Sequence, residues 1–227
     1  MRLVAVSAGL STPSSTRLLA DRLTEAVREE FTARSHDAQA EFGAGTEAGI
    51  GAETEIQVEV EVEVVELREL AGAIAHNLVT GFPSPPLASA LDAVTGAHGL
   101  IAVTPVFTAS YSGLFKSFFD LIDPAALTGK PVLIAATGGT ARHSLVLEHA
   151  LRPLFAYLRA TVVPTAVYAA SEDWGSAGDD HTEGLPARIR RAAGELTALM
   201  AARPADVTPE DDDVTALERQ LSDLRFD

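Results

Sequence analysis

The chain has 227 residues, enough for one domain with a sizeable core, and it contains no cysteine, which excludes disulfides, thiolate metal sites and thiol nucleophiles. Its 17 basic residues, of which only Lys116 and Lys130 are lysines, face 32 acidic ones for a formal charge of −15. That balance argues against nucleic acid or an anionic membrane as partner, and any redox chemistry has to come from a cofactor.

Leu3-Val4-Ala5-Val6 is short, apolar and partly β-branched, the pattern of a strand buried on both faces. It follows Met1-Arg2 directly, leaving no room for a signal peptide, and no apolar run approaches the roughly 20 residues of a membrane span; a cytoplasmic location is expected. The strand runs through Ser7-Ala8-Gly9-Leu10-Ser11-Thr12-Pro13 into a helix that opens at Ser14-Ser15-Thr16. A helix start needs one or two hydroxyls as caps, but six stand here (Ser7, Ser11, Thr12, Ser14, Ser15, Thr16). The surplus, together with free amides at the positive end of the helix dipole, points to a bound phosphate.

Leu19, Leu23, Ala26, Val27 and Phe31 lie on one stripe of that helix. Residues 35–55 are rich in Ala, Gly and Glu without a period, so a mobile loop insertion is expected. Ile56 to Val65 alternates valine and glutamate, an edge strand with one wet face. Helices are expected over 67–77 and 87–94, separated by Pro83, Pro85 and Pro86. Gly99 to Thr104 reads as a central strand, 105–112 as loop and 114–122 as a helix whose apolar surplus suggests a symmetric homo-oligomer. A strand over 131–136 leads into Thr137-Gly138-Gly139-Thr140 and a helix over 142–159, kinked at Pro153. The fifth strand spans 161–168, an acidic loop 171–184 holds Trp174, and a helix covers 185–200. The acidic tail, residues 204–227, contains one more helical piece over 214–224. Strands alternating with helices imply a five-stranded parallel sheet with helices on both faces, an α/β fold whose ligand sits beyond the carboxyl ends of the strands.

Three loops leave those ends. The second, Thr104-Pro105-Val106-Phe107-Thr108-Ala109-Ser110-Tyr111, sets two aromatic rings among small residues and backbone donors, which suits a flat heteroaromatic ring. Burial of Phe107 and Tyr111 against neighbouring helices is the alternative. The third, Thr137 to Thr140, allows close backbone approach at its glycines.

On these stretches the chain resembles the NAD(P)H-dependent FMN reductases of flavodoxin-like fold, which supply reduced flavin to two-component monooxygenases. Ala8-Gly9-Leu10-Ser11 through Ser14-Ser15-Thr16 is similar to the family's first signature, Thr104 to Lys116 to its flavin-ring loop, and Ala136 to His143 with Leu151-Arg152-Pro153 to its third segment. The resemblance implies one FMN-binding domain over residues 1–203. FMN would place its phosphate at Ser14, Ser15 and Thr16, and its ring beside Pro105, Val106, Phe107 and Thr108 with Thr137, Gly138 and Gly139 on the other side; Gly9, Ser11 and Thr140 complete the binding residues. NADPH or NADH would donate hydride. Ser11 stands where many relatives carry an arginine, so weaker FMN binding and exchange of flavin as a substrate are expected. Related flavoenzymes that reduce quinones, azo compounds or chromate with bound FMN, and non-catalytic flavodoxin-like electron carriers, are the competing functions.

Hydride transfer between stacked rings asks for orientation rather than acid or base groups. His143 near the third loop is either a cap or a residue that reaches the site; the other histidines lack ligand spacing, so no metal is expected. Lys116 reads as a solvated or interface residue, and Trp174 either covers a neighbouring subunit's ring or anchors its loop. No Walker lysine, G-x-S-x-G or G-x-G-x-x-G accompanies the glycine loops.

Overall fold

A computed structural model describes residues 1–43, 60–174 and 184–203. The sheet is built around β1 (Arg2–Ser7), where every residue from Leu3 to Ser7 is buried. On one side β1 pairs in parallel with β2 (Glu61–Glu66), in the register Leu3↔Val62 to Ser7↔Glu66; on the other it pairs with β3 (Gly99–Phe107), Leu3↔Gly99 to Ser7↔Val103. β3 pairs in parallel with β5 (Pro131–Gly138), and β5 carries two short strands beyond it, β6 (Thr161–Val162) and β7 (Val167–Ala170). With β6 and β7 as two pieces of one position, the parallel order is the 2-1-3-4-5 arrangement of flavodoxin-like folds.

Alternation along the strands sends side chains to two cores. Leu3, Ala5, Ile101, Val103, Leu133 and Ala135 meet α1 (Ser15–Gly43) and α6 (Leu185–Ala202) through Leu19, Leu23, Val27, Ile189 and Leu196. Val4, Val6, Leu100, Ala102 and Ile134 face the opposite layer. It consists of α2 (Leu67–Thr80), α3 (Pro85–Gly96), α4 (Gly113–Phe119) and α5 (Arg152–Tyr157). Both faces are dry, which is why the central strands read as unbroken apolar runs. β2 occupies the edge, as its valine–glutamate alternation requires, and Arg2 pairs with Glu63 across it at 2.5 Å.

Several expectations change. Residues 35–43 continue α1 rather than starting a loop, because Ala, Gln and Glu propagate a helix even where no apolar period shows; the remainder of the 35–55 segment lies outside the described residues, as do 56–59 of the expected edge strand. The stretch 105–112 is not loop but the end of β3 and a hairpin into β4 (Ser110–Tyr111). The expected helix over 142–159 is broken into a 3-10 turn (Ala141–His143), a π turn (Leu147–Leu151) and α5. Pro153, which cannot donate and whose ring crowds the preceding turn, sits just after the widened π segment. The fifth strand is interrupted around Pro164, which removes a ladder donor between β6 and β7. Ser171–Asp173 forms a 3-10 turn, while 175–183 and the tail with its 214–224 piece are outside the described residues.

Phe115, Phe118, Phe119 and Ile122 are all buried in the chain's own core, with the Phe119 ring tilted against Phe115 at 4.7 Å and edge-on to Phe155 at 5.0 Å. The apolar surplus of this helix is therefore used internally. Lys130, 3% exposed, donates to the Thr95 carbonyl at 3.0 Å and to that of Ala97, satisfying carbonyls at the end of α3. Burial, with Arg203 nearby, pushes its pKa down to about 8. No helix among the described residues is long and apolar enough to cross a membrane.

Candidate functional site

Ser7, Phe107 and Gly138 end three adjacent parallel strands, so the connections that follow them gather at one edge of the sheet. In the first, the Ala8 amide donates to the Val103 carbonyl at 3.0 Å, extending the β1–β3 ladder by one residue. Ser14 caps α1: its Oγ accepts from the Arg17 amide at 3.2 Å and its carbonyl from the Leu18 amide at 3.0 Å. A Cβ on Gly9 would overlap the Ser14 hydroxyl and stand 3.1 Å from the Thr16 Cβ, so glycine is what lets the loop fold back on the cap. Ser14 is thereby committed to the helix, while Ser11, Thr12 and Ser15 are exposed. The amides of Ser15 and Thr16 lie in the first turn of α1, where no preceding carbonyl of the helix reaches them.

The second connection is a two-residue hairpin in which Val106 pairs with Tyr111 and Phe107 with Ser110. Thr108 (φ 47°) and Ala109 (φ 65°) both adopt the left-handed conformation, the backbone a type I′ turn needs and one that neither residue favours. Its base is pinned by buried Thr104, whose hydroxyl donates to the Pro105 carbonyl and accepts from the Ser112 amide, each at 3.0 Å. Ser112 in turn caps α4, accepting from the Phe115 amide at 3.1 Å. The two aromatic rings part company: Tyr111 packs at 6.0 Å from Phe115, whereas Phe107 remains 46% exposed at the mouth.

The third connection is joined to the first. Thr16 and Thr137, both buried, share a hydroxyl–hydroxyl hydrogen bond of 2.8 Å. On the far side Tyr168 donates to the Thr140 carbonyl at 2.9 Å, and its hydroxyl fills the place a Cβ on Gly138 would take. Burial, with Asp173 nearby, raises the Tyr168 pKa, which keeps the phenol a donor. A Cβ on Gly139 would meet nothing within 4 Å. Gly138 is thus occupied by the protein, and Gly139 faces open space.

Two arginines that the sequence did not single out stand beside the first loop, and one of them, Arg68, contacts it. Arg17 pairs with Asp21 at 2.8 Å and with Glu66, contacts that raise its pKa. Arg68 pairs with Glu66 at 3.0 Å and donates from Nη1 to the Ser11 carbonyl at 3.4 Å and to the Thr12 hydroxyl. The only sequence signal for Arg68 is its place just after an edge strand, and that signal becomes meaningful once β2 is known to neighbour β1. His143 lies exposed on the 3-10 turn after the third loop, and Lys116 is paired with Asp120 on α4. Trp174 anchors its segment within the chain, with Arg22 of α1 at 4.9 Å over its ring. Among the described residues no group of three or more His, Asp or Glu could hold a metal ion.

The donor set is of the kind FMN needs. First-turn amides, exposed hydroxyls and the Arg68 guanidinium suit a phosphate, while exposed Phe107 and the open face at Gly139 suit a flat ring beside the second and third loops.

Comparison with known proteins agrees with this chemistry. Residues 1–175 match the family model described as NADPH-dependent FMN reductase. The chain is 43% identical over 143 residues to an FMN reductase (NADPH) of Pseudomonas aeruginosa, an alignment covering 62% of this chain and 75% of that protein. It is 34% identical over 201 residues to the NADH-dependent FMN reductase SfnF of Pseudomonas putida, covering 88% and 92%. A solved oxidoreductase from Corynebacterium diphtheriae superposes with a TM-score of 0.75 at 44% identity, covering 89% of this chain and 98% of that one. With the 2-1-3-4-5 sheet and the three joined loops, these matches show that the chain belongs to the NADPH-dependent FMN reductase family.

Proposed function

We propose that this protein transfers hydride from NADPH or NADH to FMN and releases the reduced flavin to a partner monooxygenase, with the three strand-end loops as the site. The observation that carries this is the Thr16–Thr137 bond: it ties the start of α1, where the phosphate would lie, to the glycine turn that would flank the ring, which supports a single site spanning both loops.

FMN supplies the two-electron acceptor when bound. The phosphate falls to Ser11, Ser15 and Thr16, with Gly9 and Ser14 shaping the loop. Pro105, Val106, Phe107 and Thr108 form one wall, and Thr137, Gly138, Gly139 and Thr140 the other. Phe107 offers an apolar face for stacking and excludes water from it. Backbone amides of the 137–140 turn give hydrogen-bond donors toward an edge on which negative charge builds during reduction. No step in this scheme calls on His143.

Steady-state oxidation of NADPH and NADH with FMN, riboflavin or FAD tests the reading. Turnover that depends on added FMN, and handover of reduced flavin to a flavin-dependent oxygenase, is the expected result. Turnover with a quinone and no added flavin would instead assign the protein to the flavoenzymes that retain FMN, and failure to oxidise either nicotinamide would leave only an electron carrier. A cytoplasmic location and a homo-oligomer are part of the same proposal; exposed Leu78, Val79 and Phe82 at the end of α2 support the assembly, which sedimentation at micromolar concentration checks.

A further inference from the structure

A phosphate at the start of α1 would lie in acidic surroundings. Residues 7–16 contain no basic side chain, and the neighbouring arginines Arg17 and Arg68 are themselves paired with Asp21, Glu66 and Glu69 on a chain whose formal charge is −15. Helix amides alone contribute only a partial charge against a group of nearly two negative charges. A guanidinium would add the full charge that amides and hydroxyls lack, and two lie on the elements beside the loop, Arg17 on α1 and Arg68 on α2. Arg17 is directed along its own helix and toward the sheet edge, with Nε on Asp21 and Nη1 on Glu66 and no side-chain contact to the loop among the described residues. Arg68 is turned the other way: Nη1 donates into the loop, to the Ser11 carbonyl and the Thr12 hydroxyl, while Nε is held by Glu66 at 3.0 Å. Among the described residues its Nη2 has only Glu69, at 3.9 Å, beyond hydrogen-bond range. The position follows from topology: Arg68 is the second residue of α2, directly after β2, and β2 is the strand next to β1.

We infer that Arg68 is the cationic phosphate ligand of this flavin site, supplied from the neighbouring strand end rather than from the loop itself, and that it makes the protein select phosphorylated flavin over riboflavin. The inference rests on placing the phosphate at the start of α1. Glu66 fixes the fork and partly neutralises it, so selectivity is gained without locking the flavin in place, which suits a flavin that exchanges.

Flavin fluorescence quenching, titrated separately with FMN and riboflavin at low and high salt, tests this without turnover. Wild-type protein should favour FMN, more so at low salt. R68M should weaken FMN by about 10- to 100-fold and leave riboflavin within about 2-fold, the loss expected for one charge-assisted contact. R68K, which keeps charge but not the fork, should recover part of the preference. Equal weakening of both flavins in R68M would reduce Arg68 to a brace for the loop, and no weakening of either would remove it from the site; both results overturn the inference while the phosphate placement stands. A wild-type protein that binds riboflavin as tightly as FMN would overturn the placement itself.

Discussion

Thr16 and Thr137, 121 residues apart in sequence, meet hydroxyl to hydroxyl at 2.8 Å in the interior. Each is the other's buried partner, and together they join the start of α1 to the end of β5. T137V leaves the Thr16 hydroxyl without its acceptor or donor and should cost about 1–3 kcal/mol, T16V likewise. The double variant should cost less than the sum, with a coupling of about 0.5–1.5 kcal/mol in a urea double-mutant cycle. Strict additivity would mean that the contact contributes nothing.

The two glycines of the third loop should respond in opposite ways. G138A drives a methyl group into the Tyr168 hydroxyl and loosens the Tyr168–Thr140 bond, at a cost of about 1–3 kcal/mol that Y168F should largely relieve. G139A meets open space, so its stability should stay within about 0.5 kcal/mol of wild type while FMN affinity falls. Thermal unfolding and flavin titration of both variants separate these outcomes.

The hairpin turn carries strain that a different pair of residues would lift. Thr108 and Ala109 hold φ values of 47° and 65°, where Asn and Gly are at ease. T108N/A109G should stabilise the protein by about 1–2 kcal/mol, read from the urea midpoint. Unchanged stability would show that the surrounding contacts, not the turn residues, set the conformation.

Lys130 predicts a pH-dependent stability. Its pKa falls from the ordinary 10.5 to about 8 in the folded chain, because burial disfavours the ammonium. Between these values the unfolded chain binds the proton and the folded chain does not, so stability rises with pH through that window and the gain is lost as pH falls through about 8. The change is on the order of 3 kcal/mol. Denaturant titrations across that range should show the slope in wild type and a flatter profile in K130M.

Much of this was legible in the sequence for a definite reason. Buried parallel strands must be apolar on both faces, so β1, β3 and β5 appear as unbroken runs, and the edge strand β2 alternates because one of its faces is wet. The loops after β1 and β5 stand out because hydroxyls and glycines in such density have no role in a core. What misled was local: α1 outlasts its apolar stripe because Ala, Gln and Glu sustain a helix unaided, and Thr108-Ala109 lacks the residues that usually announce a hairpin.

The chain's order of residues thus determined the layers and the loops after β1 and β5, since period and composition are local properties that burial acts on directly, while the second connection reads as loop and is a hairpin. Only the tertiary structure decided which hydroxyl caps, which glycine is filled by Tyr168 and which faces open space, and that Arg68 rather than a loop residue brings charge to Ser11 and Thr12. Those assignments depend on which strand lies beside which, and a hydrogen bond is satisfied by distance in space, to which separation along the chain is no guide.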